Sequence, residues 1–278
     1  MTTSPVPSLP LLHGPALPQL GFGTWPMGDD EAEQAVAQAI DAGYRLFDTA
    51  HFYRNEEGVG RALRASGLPR EELFVTTKLS GSSHGYDEAQ RAFAASARRL
   101  DLEYVDLYLI HWPQPWQDLY VEAWRGLAKL LADGRVRAIG VSNFKPAHID
   151  RLIDETAVVP DVNQIELNPF VTRETTRAYH QRHGIVTQSW SPIALGGQLL
   201  REPTITEIAA RHAKTAAQVV LRWHIELGLS AVPKSTNPER IAANIDIFDF
   251  ALSSEEVSAI SALDRGEHSA EDSDETGN

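Results

Sequence analysis

Short apolar runs alternate with longer, Ala-rich segments along most of the chain. Runs such as LFVTTKL and VDLYLIHW are apolar at nearly every position, which is typical of parallel strands that helices cover. Each run precedes a segment with helical periodicity, and TITEIAARHAKTAAQVVLRWHIELG after the seventh run is the longest of these. Eight strand-helix units follow one another in this way. Their order predicts an α/β protein folded as a (β/α)8 TIM barrel.

A doubly wound sheet is the alternative fold. It is less favoured, because no G-x-G-x-x-G follows the first strand and no change of composition marks a second domain. SLPLLHGPALPQL predicts an N-terminal β-hairpin that caps the barrel, and SSEEVSAISAL predicts an extra C-terminal helix. We expect residues 1–265 to form a single barrel domain and the acidic residues 266–278 to form a disordered tail.

The composition of the 278-residue chain excludes several classes of function. Lys and Arg number 25 against 38 Asp and Glu, and the net charge of -13 disfavours a general nucleic-acid binder. An anionic ligand would therefore need a local basic pocket. The absence of cysteine excludes disulfides, thiolate nucleophiles and Cys-ligated metals. Because no signal-peptide pattern and no apolar run of about 18 residues is present, we expect a soluble, cytoplasmic protein without membrane contact.

Polar residues stand where several predicted strands end. Asp48 and Tyr53 follow the second strand, Lys78 ends the third and His111 ends the fourth. Functional groups of a (β/α)8 barrel collect at the C-terminal ends of its strands, so we expect these four side chains to face one mouth. Taken singly, each has an ordinary interpretation, since such a tyrosine commonly packs and such an aspartate commonly caps a turn. Only their conjunction favours a functional site.

These four side chains suit the transfer of a proton to an oxygen atom. A phenol has an ordinary pKa of about 10 and is an inefficient acid at neutral pH unless its anion is stabilised. Lys78 beside Tyr53 would lower the pKa of the phenol, and Asp48 would keep the lysine charged and oriented. His111 could donate a hydrogen bond to the same substrate oxygen. The set predicts proton delivery to a carbonyl oxygen while hydride attacks the carbonyl carbon.

Such a reaction needs a hydride donor, and VPKSTNPERIAAN offers an anion site for one. Asn237 can N-cap a helix that begins at Pro238, so that free N-H groups point towards Lys234 and Ser235. Arg240, one turn into the helix, has a planar guanidinium suited to a phosphate monoester. Alternatively, Arg240 is a solvated helix residue and Asn237 an ordinary cap.

At the level of motifs, the chain resembles the aldo-keto reductase family over nearly its whole length. The motifs are GFGTW, FDTAHFYRNE, TTKL, LIHWP, GVSNF, NQIELNP, SWSP and PKSTNPERIAAN. The resemblance implies a catalytic tetrad of Asp48, Tyr53, Lys78 and His111, with Tyr53 as general acid in reduction and general base in the reverse direction. It also implies NADPH as cofactor and no metal.

The resemblance further implies a cofactor site and a substrate pocket. Residues matching Ser142, Asn143 and Gln164 hold the nicotinamide carboxamide in the family, and the aromatic residue matching Trp190 stacks on the ring. Lys234, Ser235 and Arg240 match the residues that hold the 2'-phosphate, and Asn244 matches the one that reaches the adenine. The full cofactor set is Gly23, Thr24, Trp25, Asp48, Ser142, Asn143, Gln164, Trp190, Ser191, Lys234, Ser235, Thr236, Arg240 and Asn244. The pocket set is Trp25, Phe52, Tyr53, His111 and Trp112.

Within the family, Trp190 and the stretch SGSSHGYDEAQRAF are similar to the bacterial 2,5-diketo-D-gluconate reductase branch. Two departures from the family pattern carry expectations of their own. Arg54 beside the catalytic tyrosine could place a charge at the pocket rim and favour acidic substrates. Ala243 stands where some members have a glutamate that helps to hold adenine, so NADP selectivity could be looser.

The expected activity is NADPH-dependent reduction of small aldehydes, α-dicarbonyls and keto sugars such as 2,5-diketo-D-gluconate by a monomer. The alternative is a non-catalytic NADP(H)-binding regulatory module on the same scaffold, which an intact tetrad argues against. Hydrolysis with Asp48 and Glu56 as a catalytic pair of acid and base is disfavoured, because no second carboxylate lies at a compatible strand end.

Overall fold

The computed structural model describes residues 6–267 and 270–277. Its centre is an eight-stranded sheet in which every paired neighbour is parallel, in the order β10-β9-β8-β7-β6-β5-β4-β3. The strands in the described residues are β1 Ser8–Leu9, β2 Leu17–Pro18, β3 Phe22–Gly23, β4 Leu46–Asp48, β5 Phe74–Leu79, β6 Val105–Ile110, β7 Val136–Ser142, β8 Val162–Glu166, β9 Val186–Trp190 and β10 Ser230–Ala231. The sequence order of the strands is thus also their order around the sheet.

The two ends of this sheet meet. Gly21 donates to the carbonyl oxygen of Ala231 over 2.9 Å, and Ala231 donates to that of Gln19 over 2.9 Å. A close approach is possible here because Gly23 has no side chain: a Cβ atom there would lie 2.8 Å from the carbonyl oxygen of Val232. The predicted (β/α)8 TIM-barrel fold is confirmed.

Helices follow the strands, as the alternating pattern predicted. The helices in the described part of the chain are α1 Asp29–Ala42, α2 Glu56–Ala65, α3 Tyr86–Leu100, α4 Tyr120–Ala132, α5 Pro146–Thr156, α6 Glu174–His183, α7 Pro203–His212, α8 Ala216–Glu226, α9 Pro238–Ile245 and α10 Ser254–Ser261. The hairpin is the antiparallel pair β1 and β2, and α10 is the extra C-terminal helix. Among the described residues, none of these helices is both long and apolar enough to cross a membrane.

One helical segment was predicted wrongly as continuous. The segment after β9 divides into α7 and α8, because Ala213 adopts a left-handed φ of 52°. Thr215 then begins α8 with a capping box, in which its hydroxyl accepts from the N-H of Gln218 and Gln218 accepts from the N-H of Thr215. The left-handed Ala213 and the cap at Thr215 therefore end one helix and begin the next, although the residues on both sides have helical periodicity.

Alternation along the strands divides the core into two regions. Phe47, Val75 and Tyr108 face outward and pack beneath the helices. Their neighbours Leu46 and Leu109 face inward and join a separate apolar cluster inside the barrel. Because side chains alternate, the next inward position lies two residues after each of these leucines. A functional group at that position would lie at the C-terminal mouth of the barrel.

The C-terminal segment lies at this same mouth. Asp272 and Asp274 contact the ammonium of Lys145, and Asp274 also pairs with His148 over 2.9 Å. Gly277 packs against the side chain of Trp112. The disorder expected for residues 266–278, like the single-domain boundary at residue 265, stays a prediction, and residues 1–5, 268, 269 and 278 lie outside the described residues.

Candidate active site

Three strand ends place three predicted residues on the inner wall of the barrel. Asp48 lies two positions after the inward Leu46, and His111 lies two positions after the inward Leu109. Lys78 occupies the same inward face of β5, whereas its neighbour Thr77 faces outward and bonds Glu56. The period of two in each strand therefore brings an acid, a lysine and a histidine above one apolar layer.

Lys78 is the centre of this group. Its Nζ atom donates to Asp48 Oδ1 over 2.5 Å, to Tyr53 Oη over 3.2 Å and to the carbonyl oxygen of Thr49 over 3.1 Å. The lysine is fully buried, so all three of its protons are used inside the protein. Tyr53 reaches it from a 3-10 turn, residues His51–Tyr53, that follows β4. The predicted contact between phenol, ammonium and carboxylate is present.

The electrostatics of the pair differ in one respect from the sequence-based expectation. Burial lowers the pKa of Lys78, but the charge of Asp48, the phenol of Tyr53 and the hydrogen bonds to both together outweigh it, and the pKa lies above its ordinary value. For Tyr53, burial raises the pKa, Lys78 opposes it, and the balance is a raised pKa rather than the expected lowered one. The sequence could reveal the neighbouring charge but not the degree of enclosure. The phenol is therefore protonated and the ammonium charged at neutral pH.

His111 completes the group. Its ring meets that of Tyr53 edge on, with 5.6 Å between centroids. Burial and the charge of Lys78 together hold its pKa well below the ordinary value, so the imidazole is neutral at neutral pH. Its Nδ1 atom is buried and has no hydrogen-bond partner among the residues that the structure describes. A neutral imidazole of this kind can donate from one nitrogen only.

A hydrogen-bonded amide network lies beside the group. Gln164 donates to Asp48 Oδ2 over 2.8 Å, and Ser142 donates to the carbonyl oxygen of Gln164 over 2.8 Å. Asn143 has a left-handed φ of 63° and donates to the carbonyl oxygen of His111 over 3.1 Å. Trp190 donates from its indole nitrogen to Asn143 Oδ1 over 2.8 Å. These bonds fix the amides and the indole of Trp190 relative to Asp48.

The opposite end of the same cavity is basic. Asn237 caps α9 by accepting from the N-H of Arg240 over 2.9 Å, as the sequence predicted. The side chains of Lys234 and Arg240 are exposed, and neither forms an ion pair within residues 6–267 or 270–277. Two cations that lie at a helix N-terminus without an ion-pair partner in the described residues suit an anionic group such as a phosphate monoester.

One cavity of about 1080 Å³ joins these regions. Every residue of the predicted sets lines it except Lys78, which is buried and bonds the lining residues Asp48 and Tyr53. The lining residues of these sets are Gly23, Thr24, Trp25, Asp48, Phe52, Tyr53, His111, Trp112, Ser142, Asn143, Gln164, Trp190, Ser191, Lys234, Ser235, Thr236, Arg240 and Asn244. The structure therefore brings together all the residues of the predicted catalytic, cofactor and pocket sets. Ala243 also lines the cavity, whereas Arg54 is exposed and is not one of the lining residues, so a charge at the pocket rim stays a prediction.

Some lining residues were missed by the sequence reasoning. One group comes from the loop after β9 and from the start of α8: Pro192, Ile193, Leu195, Gly196, Leu200, Thr215, Ala216 and Ala217. Glu271 of the C-terminal segment is another, and its N-H group donates to the carboxyl of Glu166 at the end of β8. The loop after β9 could have been found from its place after a strand end, but no motif marks Glu271.

Comparison with known proteins agrees with this geometry. A family model described as the Aldo/keto reductase family matches residues 19–265. The chain is 46% identical over 268 residues to the methylglyoxal reductase DkgA of Escherichia coli O157:H7, covering 96% of this chain and 97% of that protein, in agreement with the predicted branch.

Two solved structures have the same fold. An aldo/keto reductase from Brucella melitensis matches with a TM-score of 0.90 and 50% identity, covering 93% of this chain and 100% of that one. A mutant of Gox0644, solved in complex with NADPH, matches with a TM-score of 0.90 and 45% identity, covering 94% and 95% of the two chains. The chain belongs to the aldo/keto reductase family.

Proposed function

We propose that the protein reduces the carbonyl group of small aldehydes, α-dicarbonyls and keto sugars such as 2,5-diketo-D-gluconate to an alcohol, with NADPH as hydride donor. The observation that carries this proposal is the position of the Lys78 ammonium, 2.5 Å from Asp48 and 3.2 Å from Tyr53 at the base of the cavity. A phenol held against a buried ammonium is suited to protonate an oxygen on which negative charge is developing.

Tyr53 is the general acid of this reaction. Its raised pKa keeps the proton on the phenol until the substrate oxygen gains charge, and Lys78 then stabilises the phenolate that remains. Asp48 keeps the lysine charged at its buried position. In the oxidation of an alcohol, the same phenolate would act as the base. The neutral His111 is placed to donate a hydrogen bond to the substrate oxygen without competing for the proton.

The residues of the cavity fit a reduced dinucleotide phosphate. Its nicotinamide supplies the hydride, and Ser142, Asn143 and Gln164 offer the polar groups to hold the carboxamide while Trp190 offers a face for stacking. Lys234 and Arg240 suit the 2'-phosphate, which in a chain of net charge -13 needs such local cations. The NADPH complex of the Gox0644 mutant supports this choice of cofactor.

The substrate side of the cavity is aromatic. The rings of Trp25 and Phe52 lie 5.6 Å apart, and those of Trp25 and Tyr53 lie 5.1 Å apart. Trp112 adds a further apolar wall. Flat walls around a proton donor suit small carbonyl compounds, and the match to a methylglyoxal reductase supports the inclusion of α-dicarbonyls. Cytoplasmic location and a monomeric state stay predictions.

The first test is Tyr53→Phe, which removes only the transferable proton and its oxygen. We expect kcat for carbonyl reduction to fall by at least about 100-fold, because positioned acid catalysis is lost. The affinity for NADPH, measured by quenching of protein fluorescence, should stay within about twofold, since the cofactor contacts are elsewhere. Wild-type turnover in this variant would rule out Tyr53 as the acid.

A second test addresses the phosphate site through Arg240→Ala. Loss of a charged hydrogen-bonding group should weaken NADPH binding by about 10- to 100-fold, while NADH binding changes by less than about twofold. Arg91→Ala is the matched control, because Arg91 is an exposed arginine of α3 outside the cavity lining. Equal losses for NADPH and NADH would place the 2'-phosphate elsewhere.

The pH dependence of the two directions gives a third test. For reduction, kcat should stay level from about pH 6.5 to about pH 9, because Tyr53 keeps its proton below a raised pKa and His111 stays neutral above a lowered one. For alcohol oxidation with NADP+, kcat should rise with pH over the same range, because the phenolate is the required form. A reduction rate that falls through a pKa near neutrality would contradict these assignments.

A further inference from the structure

The turn that carries Tyr53 is too short to fix the phenol by itself. Its three residues, His51–Tyr53, are held by two backbone hydrogen bonds, from Tyr53 to Ala50 over 3.1 Å and from Arg54 to His51 over 3.2 Å. Arg54 then reverses the chain with a left-handed φ of 56°. Other contacts must hold the hydroxyl of Tyr53 at Lys78.

Asn55, two residues after the tyrosine, supplies such contacts. Its amide nitrogen donates to the carbonyl oxygens of Thr24 and Met27, over 3.1 and 3.0 Å, and its oxygen accepts from the hydroxyl of Thr49 over 2.6 Å. The side chain is fully buried, so bulk solvent does not compete for these bonds. A single amide thus joins the turn that carries Trp25 to the end of the strand that carries Asp48.

The position of Asn55 makes this use of its side chain informative. Asn55 stands at the N-cap of α2, where an asparagine commonly accepts from the free N-H groups of the helix. It forms no such cap bond here. Asp29 caps the helix in its place, because its Oδ1 atom accepts from the N-H of Gly58 over 2.8 Å, and the side chain of Asn55 bonds the two loops of the active site instead.

A second brace acts on the other end of the turn. The buried carboxylate of Glu56 accepts from Thr77, the neighbour of Lys78, over 2.6 Å and from Arg99 over 2.7 Å. Arg99 in turn lies 2.8 Å from Nδ1 of His51, the first residue of the turn. With this side fixed, the position of the phenol depends on the bonds that Asn55 makes on the other side.

We infer that Asn55 is a positioning residue for the carbonyl reduction proposed above: its two N-H donors hold the Tyr53 turn and the Trp25 wall in one arrangement. Asparagine is required rather than aspartate, because both partners of its nitrogen are carbonyl oxygens and only an N-H group can bond them. This role rests on the proposed function. It predicts that Asn55 affects proton transfer and substrate fit more than cofactor binding, because Thr24 and Trp25 are only a small part of the predicted cofactor set.

The test is Asn55→Asp, which keeps the shape and the bond from Thr49 but removes both donors. We expect kcat for methylglyoxal to fall by about 10- to 100-fold, as for a small misplacement of a catalytic group, while NADPH affinity falls by a clearly smaller factor than kcat, because most of the predicted cofactor contacts lie elsewhere. Because the Trp25 wall shifts with the turn, kcat/KM for an aromatic aldehyde should fall further than that for methylglyoxal. The solvent isotope effect on kcat should increase as proton transfer becomes limiting.

A purely structural role would give a different result, and Asp106→Asn provides that comparison. Asp106 is equally buried but lies at the opposite end of the barrel, where it bonds Arg70 and the N-H of Val75. Its substitution should lower thermal stability while leaving kcat per NADPH-binding site unchanged. If Asn55→Asp does not fold, Thr49→Val removes one bond of the same amide and should shift the substrate preference in the same direction.

Two outcomes would overturn the inference, and they are distinguishable. Wild-type kcat and an unchanged ratio between the two substrates in Asn55→Asp, or in Thr49→Val if that variant is the one that folds, would remove the positioning role and leave the reductase intact. A wild-type protein that binds NADPH but reduces no carbonyl compound would overturn the proposed function, and the role of Asn55 with it.

Discussion

The site depends on one buried cation. Lys78 is fully buried, and an ammonium in such a place would lose its proton without a partner. The carboxylate of Asp48, 2.5 Å away, supplies the compensating charge. The phenol oxygen of Tyr53 accepts a second hydrogen bond from the ammonium. The barrel makes this possible because adjacent parallel strands end at the same level and point alternate side chains inward. The contact between the phenol of Tyr53 and a charged ammonium is therefore a consequence of how the strands are placed.

The same geometry separates two kinds of electrostatics within one cavity. At Asp48 and Lys78, the charges are buried and paired, and Gln164 extends the network from Asp48 towards Ser142 and Asn143. At the start of α9, by contrast, Lys234 and Arg240 are exposed and form no ion pair within the described part of the chain. A ligand with a polar ring at one end and a phosphate at the other matches both. Because the net charge of -13 repels anions in general, the basic end is the feature that selects a ligand with a phosphate group.

Much of this site could be predicted from the sequence, because the ends of the apolar runs show where the strands end. Period-two alternation and the order of the units were enough to bring Asp48, Lys78 and His111 to one mouth, and motif resemblance supplied the cofactor residues. The sequence predicted that Lys78 lowers the pKa of Tyr53, which it does, but it could not show how enclosed the phenol is, and burial leaves that pKa above its ordinary value. Nor could it show that the exposed side chain of Arg54 does not line the cavity.

Features without a local pattern were also beyond the sequence. The division between α7 and α8 depends on one left-handed alanine and a cap within an otherwise helical segment. Glu271 reaches the cavity through contacts over 100 residues apart in the chain. The bonds of Asn55 to Thr24 and Met27 are likewise long-range, although its place two residues after Tyr53 was visible in the sequence.

The most direct test of the central claim is the reaction of the purified wild-type protein with NADPH and methylglyoxal, with an aromatic aldehyde and 2,5-diketo-D-gluconate in parallel. NADPH oxidation and alcohol formation should proceed in equal amounts, faster than with NADH. Binding of NADPH without its oxidation by any of these carbonyl compounds would contradict the account and favour a cofactor-binding regulatory module.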